Sequence, residues 1–161
     1  MTAFEPKNPG YRAAAIAMFD GQPAMHTLGV VIVRLAPGEA ELAMLHSPAL
    51  TQQNGFVHAG IITAGLDNAC GVAAFTLMPQ EADILTVEFK TMLLAPAQGE
   101  RFVFEAVVVK PGRTLTFCEA KAFAEHEGKT RLIATMTGTL MAMLPREAPQ
   151  GPRTSPAVRG D

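Results

Sequence analysis

The chain has 161 residues, 48% of them hydrophobic and 17% charged, with a formal net charge of −2. That length suits one domain with a sizeable core. The charge gives no sign of a nucleic-acid or membrane-surface binder, and the apolar content favours an oligomer. Cys70 and Cys118 fit no metal or redox spacing and read as reduced and buried, so no metal is expected.

The first 25 residues interleave Glu5, Lys7, Pro9, Arg12 and Asp20 with short apolar runs. A signal peptide does not look like that, and the default expectation is the cytoplasm. Within this segment Tyr11–Phe19 predicts a short alanine-rich helix, closed by Asp20-Gly21. Two strands are expected over His26–Leu35 and Glu39–His46, joined by the turn Ala36-Pro37-Gly38. A long helix is expected over Ala59–Met78, stopping before Pro79. Asp67, Asn68, His58 and four glycines from Gly55 to Met78 argue against its spanning a membrane.

Four strands follow, over Ile84–Leu94, Phe102–Val109, Thr114–Phe123 and Arg131–Met143. In the first, Leu85, Val87 and Phe89 alternate with Thr86, Glu88 and Lys90, the period of a half-buried strand. The connections Pro96–Glu100, Lys110–Arg113 and Glu127–Lys129 are short and rich in turn residues. Consecutive strands are therefore expected to pair antiparallel. Pro145–Asp161 carries four prolines and reads as a disordered tail. His26, His46 and His126 read as solvated. The order predicts an α+β, hotdog arrangement: an antiparallel sheet of about six strands wrapped around one long central helix. It spans 26–144 as a single domain, between an N-terminal segment (1–25) and the tail (145–161).

Asp67 is the most informative residue. It is the only carboxylate between Gly55 and Met78, and its helical neighbours Thr63, Ala64, Cys70 and Gly71 cannot neutralise a charge. Holding it ionised needs a polar group from outside the helix, and acids so placed usually do chemistry or meet a partner. At the helix start Gly55 and Gly60 flank His58. First-turn N–H groups there favour an anionic or developing-anion oxygen, such as a thioester carbonyl becoming an oxyanion. Asp67 lies about 12–14 Å along at 1.5 Å per residue, too far to meet a group bound at its own helix start. A site using both features needs a second subunit, as in a two-fold dimer.

The run TQQNGFVHAGIITAGLD (Thr51–Asp67) resembles the active-site signature of the PaaI-type hotdog thioesterases, with His58, Gly60 and Asp67 at matching positions. Leu85–Glu100 (LTVEFKTMLLAPAQGE) resembles the family's next strand and turn. Lys110–Phe117 (KPGRTLTF) resembles its coenzyme-A-side hairpin. The resemblance covers about residues 25–143. It implies an acyl-CoA thioesterase, a homodimer or homotetramer, whose only coenzyme is the coenzyme A of its substrate. Asp67 would be general base or nucleophile, the N–H of Ala59 or Gly60 would polarise the carbonyl, and Thr86 would help position water. His58 is a possible participant or a helix cap. Lys110, Gly112 and Arg113 lie where the nucleotide is held. Two positions depart from the family pattern. Gln52 stands where Asn is usual and reaches one methylene further, and Ala59 replaces the Gly after the His. An acyl pocket would draw on residues such as Phe56, Leu66, Phe75 and Met78. Two other readings are open: a non-catalytic acyl-CoA-binding or sensing module, and an enoyl-CoA hydratase or dehydratase using His58 as base.

Overall fold

The computed structural model describes residues 4–145. Two short helices come first, α1 (Tyr11–Asp20) and α2 (Pro23–Leu28), then strands β1 (Val30–Ala36) and β2 (Glu39–Leu45). A 3-10 turn at Pro48–Leu50 leads to the long helix α3 (Ala59–Phe75). After it come β3 (Asp83–Leu93), β4 (Arg101–Lys110), β5 (Leu115–His126) and β6 (Lys129–Met143). These strands make one antiparallel sheet in the order β1-β2-β4-β5-β6-β3. The expected α+β hotdog architecture is what the chain forms.

One face of the sheet buries α3. Leu66, Cys70 and Val72 from the helix meet Phe104, Ala120, Met136 and Leu140 from the strands in a single core. The helix can lie this close because Gly65 has no side chain. A Cβ at Gly65 would overlap the Phe104 ring, which is itself fully buried and has nowhere to swing. Both cysteines are free and buried here, with the Cys118 thiol against the Cys70 carbonyl at 3.7 Å.

Several boundaries differ from the sequence-based expectation, each for a local reason. The helix expected to reach Met78 ends at Phe75. The Thr76 hydroxyl donates to Ala73 O (2.6 Å) and accepts from Gly38 N (2.7 Å), which ties the helix end to the β1–β2 turn. The N–H groups of Leu77 and Met78 then close tight turns onto Ala74 and Phe75. The strand expected from His26 begins at Val30, because Pro23 starts a short helix and Gly29 ends it with φ 69°. His26, read as solvated, sits on α2 with Nε2 2.8 Å from the Asp20 carbonyl. The expected boundary at residue 25 therefore falls inside α2, and Ala15, Phe19 and Met25 belong to the common core.

The pairing expected for every consecutive pair of strands holds for β1–β2, β4–β5 and β5–β6 but not for β3–β4. β3 lies at the sheet edge beside β6, while β4 inserts beside β2. The connecting segment crosses at the start of α3, where the Ala97 carbonyl accepts from Val57 N (3.0 Å). The alternation expected in β3 also fails. A bulge at Val87 shifts the register between Thr86 and Glu88, so Thr86 pairs Leu140 on the helix side and Glu88 pairs Thr139 on the other. Leu85, Val87 and Phe89, read as a buried face, are 50%, 55% and 48% exposed. Past Pro145, the proline-rich tail lies outside the described residues. Among the described residues no helix is long and apolar enough to cross a membrane.

The Gly65–Phe104 contact sets how deep the helix sits. Gly65→Val should lower stability by about 1–3 kcal/mol through overpacking, read as a lower urea midpoint at unchanged slope. An unchanged midpoint would mean that the ring can move aside.

Candidate active site

Asp67 faces a cavity of about 510 Å³ between the middle of α3 and the start of β3. Its walls include Asp67, Asn68 and Val72 from the helix, Asp83, Ile84 and Thr86 from β3, and Met143 from β6. The polar group that the sequence demands from outside the helix is the Thr86 hydroxyl, which donates to Asp67 Oδ1 at 2.9 Å. Burial pushes the Asp67 carboxyl above the usual carboxylate range, and the Thr86 hydrogen bond pulls it part of the way back. A half-buried carboxylate with one donor and a raised proton affinity is suited to accept a proton from water.

The start of α3 opens on a second cavity, of about 600 Å³, walled by Gln52, Phe56, His58, Ala59, Leu93 and Pro96 among others. His58 is the N-cap of α3, and its Nδ1 accepts the Gly60 N–H at 2.9 Å. In the neutral ring the proton is then on Nε2, at the exposed edge. The Gly60 N–H is engaged by His58, whereas the Ala59 N–H stands at a helical position with no intrahelical acceptor. The Gln52 side chain turns back to accept the Asn54 N–H, while its backbone pairs with Phe56 and Gly55. Gln52, His58 and Ala59 thus come together, as do Asp67 and Thr86, but the two groups occupy different cavities of one chain.

Lys110, Gly112 and Arg113 line neither cavity. They form the exposed β4–β5 hairpin, where Gly112 is required because a Cβ would strike the Leu115 carbonyl. The register nevertheless brings this hairpin toward Asp67. Leu115 pairs with Met141 and Met143 with Asp83, so its tip shares a sheet end with the Asp67 cavity. Of the acyl-pocket residues expected, Phe56 lines the second cavity. Leu66 and Met78 are 0% and 4% exposed and belong to the core, with Phe75 packed against it. A helix that is apolar all round shows no sequence difference between core and cavity positions.

Sequence reasoning missed Met18, Gln22, Asn68 and Asp83, which all line the Asp67 cavity. Only the proline after Gln22 and the glycine at position 29 signalled that the segment turns back as a helix. No group of three His, Cys, Asp or Glu side chains among the described residues could hold a metal ion.

Comparison with known proteins agrees with this geometry. Residues 54–130 match the model of the thioesterase superfamily. A thioesterase family protein from Silicibacter pomeroyi is 57% identical, covering 84% of this chain and all of that one, with a TM-score of 0.84. A candidate esterase of Saccharolobus solfataricus is 30% identical over 102 residues, 63% of this chain and 71% of that one. A mutant of the phenylacetic acid degradation protein PaaI from Thermus thermophilus is 28% identical. It covers 74% of this chain and 98% of that one, with a TM-score of 0.65. With a hotdog fold, an acid on the buried helix and these relatives, the chain belongs to the thioesterase superfamily, as a PaaI-like member.

Proposed function

We propose that the chain is an acyl-CoA thioesterase that works as a two-fold dimer, with each site shared between subunits. The observation that carries the reading is Asp67, half-buried in a cavity and held by Thr86. The dimer reading is supported by β3. It is an edge strand with no further pairing partner among the described residues, and it carries exposed apolar side chains. Its first residues wall the Asp67 cavity, and its last, Leu93, walls the Ala59 cavity. If two copies pair β3 to β3 antiparallel about a two-fold axis, the start of one strand meets the end of the other. The Asp67 cavity of one subunit then joins the Ala59 cavity of its partner.

In that joint site the thioester carbonyl oxygen accepts the Ala59 N–H at the partner's helix start. Asp67 takes a proton from a water held by Thr86, and the water oxygen bonds to the carbonyl carbon. The oxyanion formed is stabilised by the helix N–H, a donor in place before the reaction. Collapse breaks the carbon–sulfur bond, and the Asp67 proton passes to the departing thiolate. The products are a carboxylic acid and coenzyme A. In this reading Lys110 and Arg113, on the hairpin at the same sheet end, would meet the nucleotide phosphates.

Asp67→Asn should cut the release of free thiol from acyl-CoA by about 10²–10⁴-fold, the usual worth of a general base. Equal rates with binding retained would make the chain a non-catalytic acyl-CoA-binding module instead.

Asp67 must be ionised to act, so activity falls as pH drops through its raised pKa. The acid limb of kcat/KM should lie above the usual carboxylate range. In Thr86→Val it should move to still higher pH, because the hydrogen bond that favours the charged form is gone. A limb unmoved by Thr86→Val would separate this hydroxyl from the base.

Ala59 is the first residue of α3, after His58 at φ −60° and ψ 137°, a conformation that a following proline accepts. Ala59→Pro therefore removes the N–H donor while keeping the helix, and it should be nearly inactive. Mixed and re-equilibrated with Asp67→Asn, it should recover about a quarter of wild-type activity, because half the dimers then carry one intact shared site. No recovery would place both groups in the same subunit's site.

A further inference from the structure

We infer that Thr91 of the partner subunit is a positioning residue for the hydrolysis, its hydroxyl bonding to Thr86 and through it holding the Asp67 carboxylate. The inference rests on the two-fold pairing of β3 proposed above. Thr91 Oγ1 is buried and has no hydrogen-bond partner among the described residues. The register against β6 shows which way the residue faces. Ile84, Thr86, Phe89, Thr91 and Leu93 stand opposite Ala142, Leu140, Gly138, Met136 and Ala134, and Leu140, Met136 and Ala134 belong to the core around α3. Directly opposed residues of a sheet share a face, so Thr86 and Thr91 lie on the helix side of one strand, with the bulge at Val87 between them. Within one chain they stand about 15 Å apart at roughly 3.3 Å per residue, too far to bond.

A two-fold axis at Phe89 brings them together. With Phe89 facing its own copy, Glu88 meets Lys90 on the outer face, and the extra residue Val87 then sets Thr86 against Thr91 and Ile84 against Leu93. An axis one residue earlier would oppose Glu88 to Glu88, and one residue later Lys90 to Lys90. Like charges directly opposed are destabilising, whereas the Phe89 axis makes two opposite-charge pairs. It also joins the cavities, since Ile84 walls the one at Asp67 and Leu93 the one at Ala59. Opposed Cβ atoms lie about 4.5–5.5 Å apart, a span that a Thr–Thr hydrogen bond bridges. Turning the Thr91 hydroxyl toward the partner, about its Cα–Cβ bond, gives up no hydrogen bond. Thr86 donates its proton to Asp67, so its oxygen is free to accept from Thr91. That donation polarises the Thr86 hydroxyl and strengthens its bond to the carboxylate. Burial holds the Asp67 carboxyl above the usual range and Thr86 pulls it back; Thr91 adds to the pull. The other titratable groups facing Asp67 are Asp83 on β3, the Cys70 thiol on α3 and, across the joint site, the partner's His58. The N-terminal segment and β6 contribute Met18, Gln22 and Met143, which do not titrate.

Thr91→Val keeps the branched shape favoured in strands and drops the hydroxyl. In the full chain it should move the acid limb of kcat/KM for hexanoyl-CoA to higher pH by about 0.3–1 pH unit, up to the worth of one hydrogen bond. The carbon-13 titration of the Asp67 carboxyl, which needs no turnover, should move the same way. Thr91→Ser should keep both curves at their wild-type positions. Added to Thr86→Val, Thr91→Val should shift neither curve further, because its effect runs through Thr86. Superimposed curves for Thr91→Val and wild type, a Thr91→Ser variant that behaves like the valine one, or a further shift in the double variant would overturn the proposal. Cross-linking reads the register: under an added oxidant, Phe89→Cys should join the two subunits faster than Glu88→Cys or Lys90→Cys. Faster joining at 88 or 90 would overturn the proposal and leave the dimer standing. If hexanoyl-CoA is not cleaved, the thioesterase reading fails by itself and the carboxyl titration still decides on Thr91. A monomer in solution overturns both.

Discussion

A carboxylate on a helix that is apolar on every side has to be met by a donor from another element. Here that donor is Thr86, 2.9 Å from Asp67, and much of the architecture follows from bringing it there. β3 must lie against α3 at the sheet edge, and Thr86 must point toward the helix although its neighbours along the strand do not continue the same alternation. The bulge at Val87 reconciles the two demands. It keeps Thr86 opposite the buried Leu140 and resets the strand beyond it, leaving a row of apolar side chains in the open.

Two polar features of the same helix lie too far apart to meet within one chain. Its start offers an amide hydrogen beside Gln52 and His58, and its middle offers an acid, with about nine residues of rise between them. Each end opens on its own cavity, and β3 runs from one to the other. β3 thus joins the two cavities along an edge that no strand pairs among the described residues. Rigidity favours this design, since the acid and the amide are carried on a packed core helix and not on loops.

The central helix was legible from sequence because an unbroken small-and-apolar run can only be enclosed. Its end was not, since Thr76 stops it through a side-chain bond to Ala73 and a contact with Gly38, 38 residues away. Asp67 was legible as a charge without a local partner, and the need for an outside donor was too. That Thr86 provides it depends on a strand bulge, which has no marker in the alternation of Leu85, Val87 and Phe89. The helix Pro23–Leu28 had its proline and glycine punctuation in plain view, but the β-branched run after it pulled the strand too far forward. The role of His58 as a cap, which occupies the Gly60 N–H, is a two-residue contact that the motif does not reveal. Gln22 was hidden altogether, because it meets Asn68 across 46 residues of chain.

The segment that matches the superfamily model runs from 54 to 130. It holds Asp67, Ala59 and Thr86, yet it leaves out α1, the turn at Gln22 and α2. The helical preface packs its Ala15, Phe19 and Met25 into the same core and contributes a wall beside the acid. Two relatives can therefore match throughout the shared stretch and still differ in the wall beside the helix acid, because part of that wall, Met18 and Gln22, is written upstream. Comparing that wall between proteins calls for aligning their first thirty or so residues, which lie outside the matched stretch.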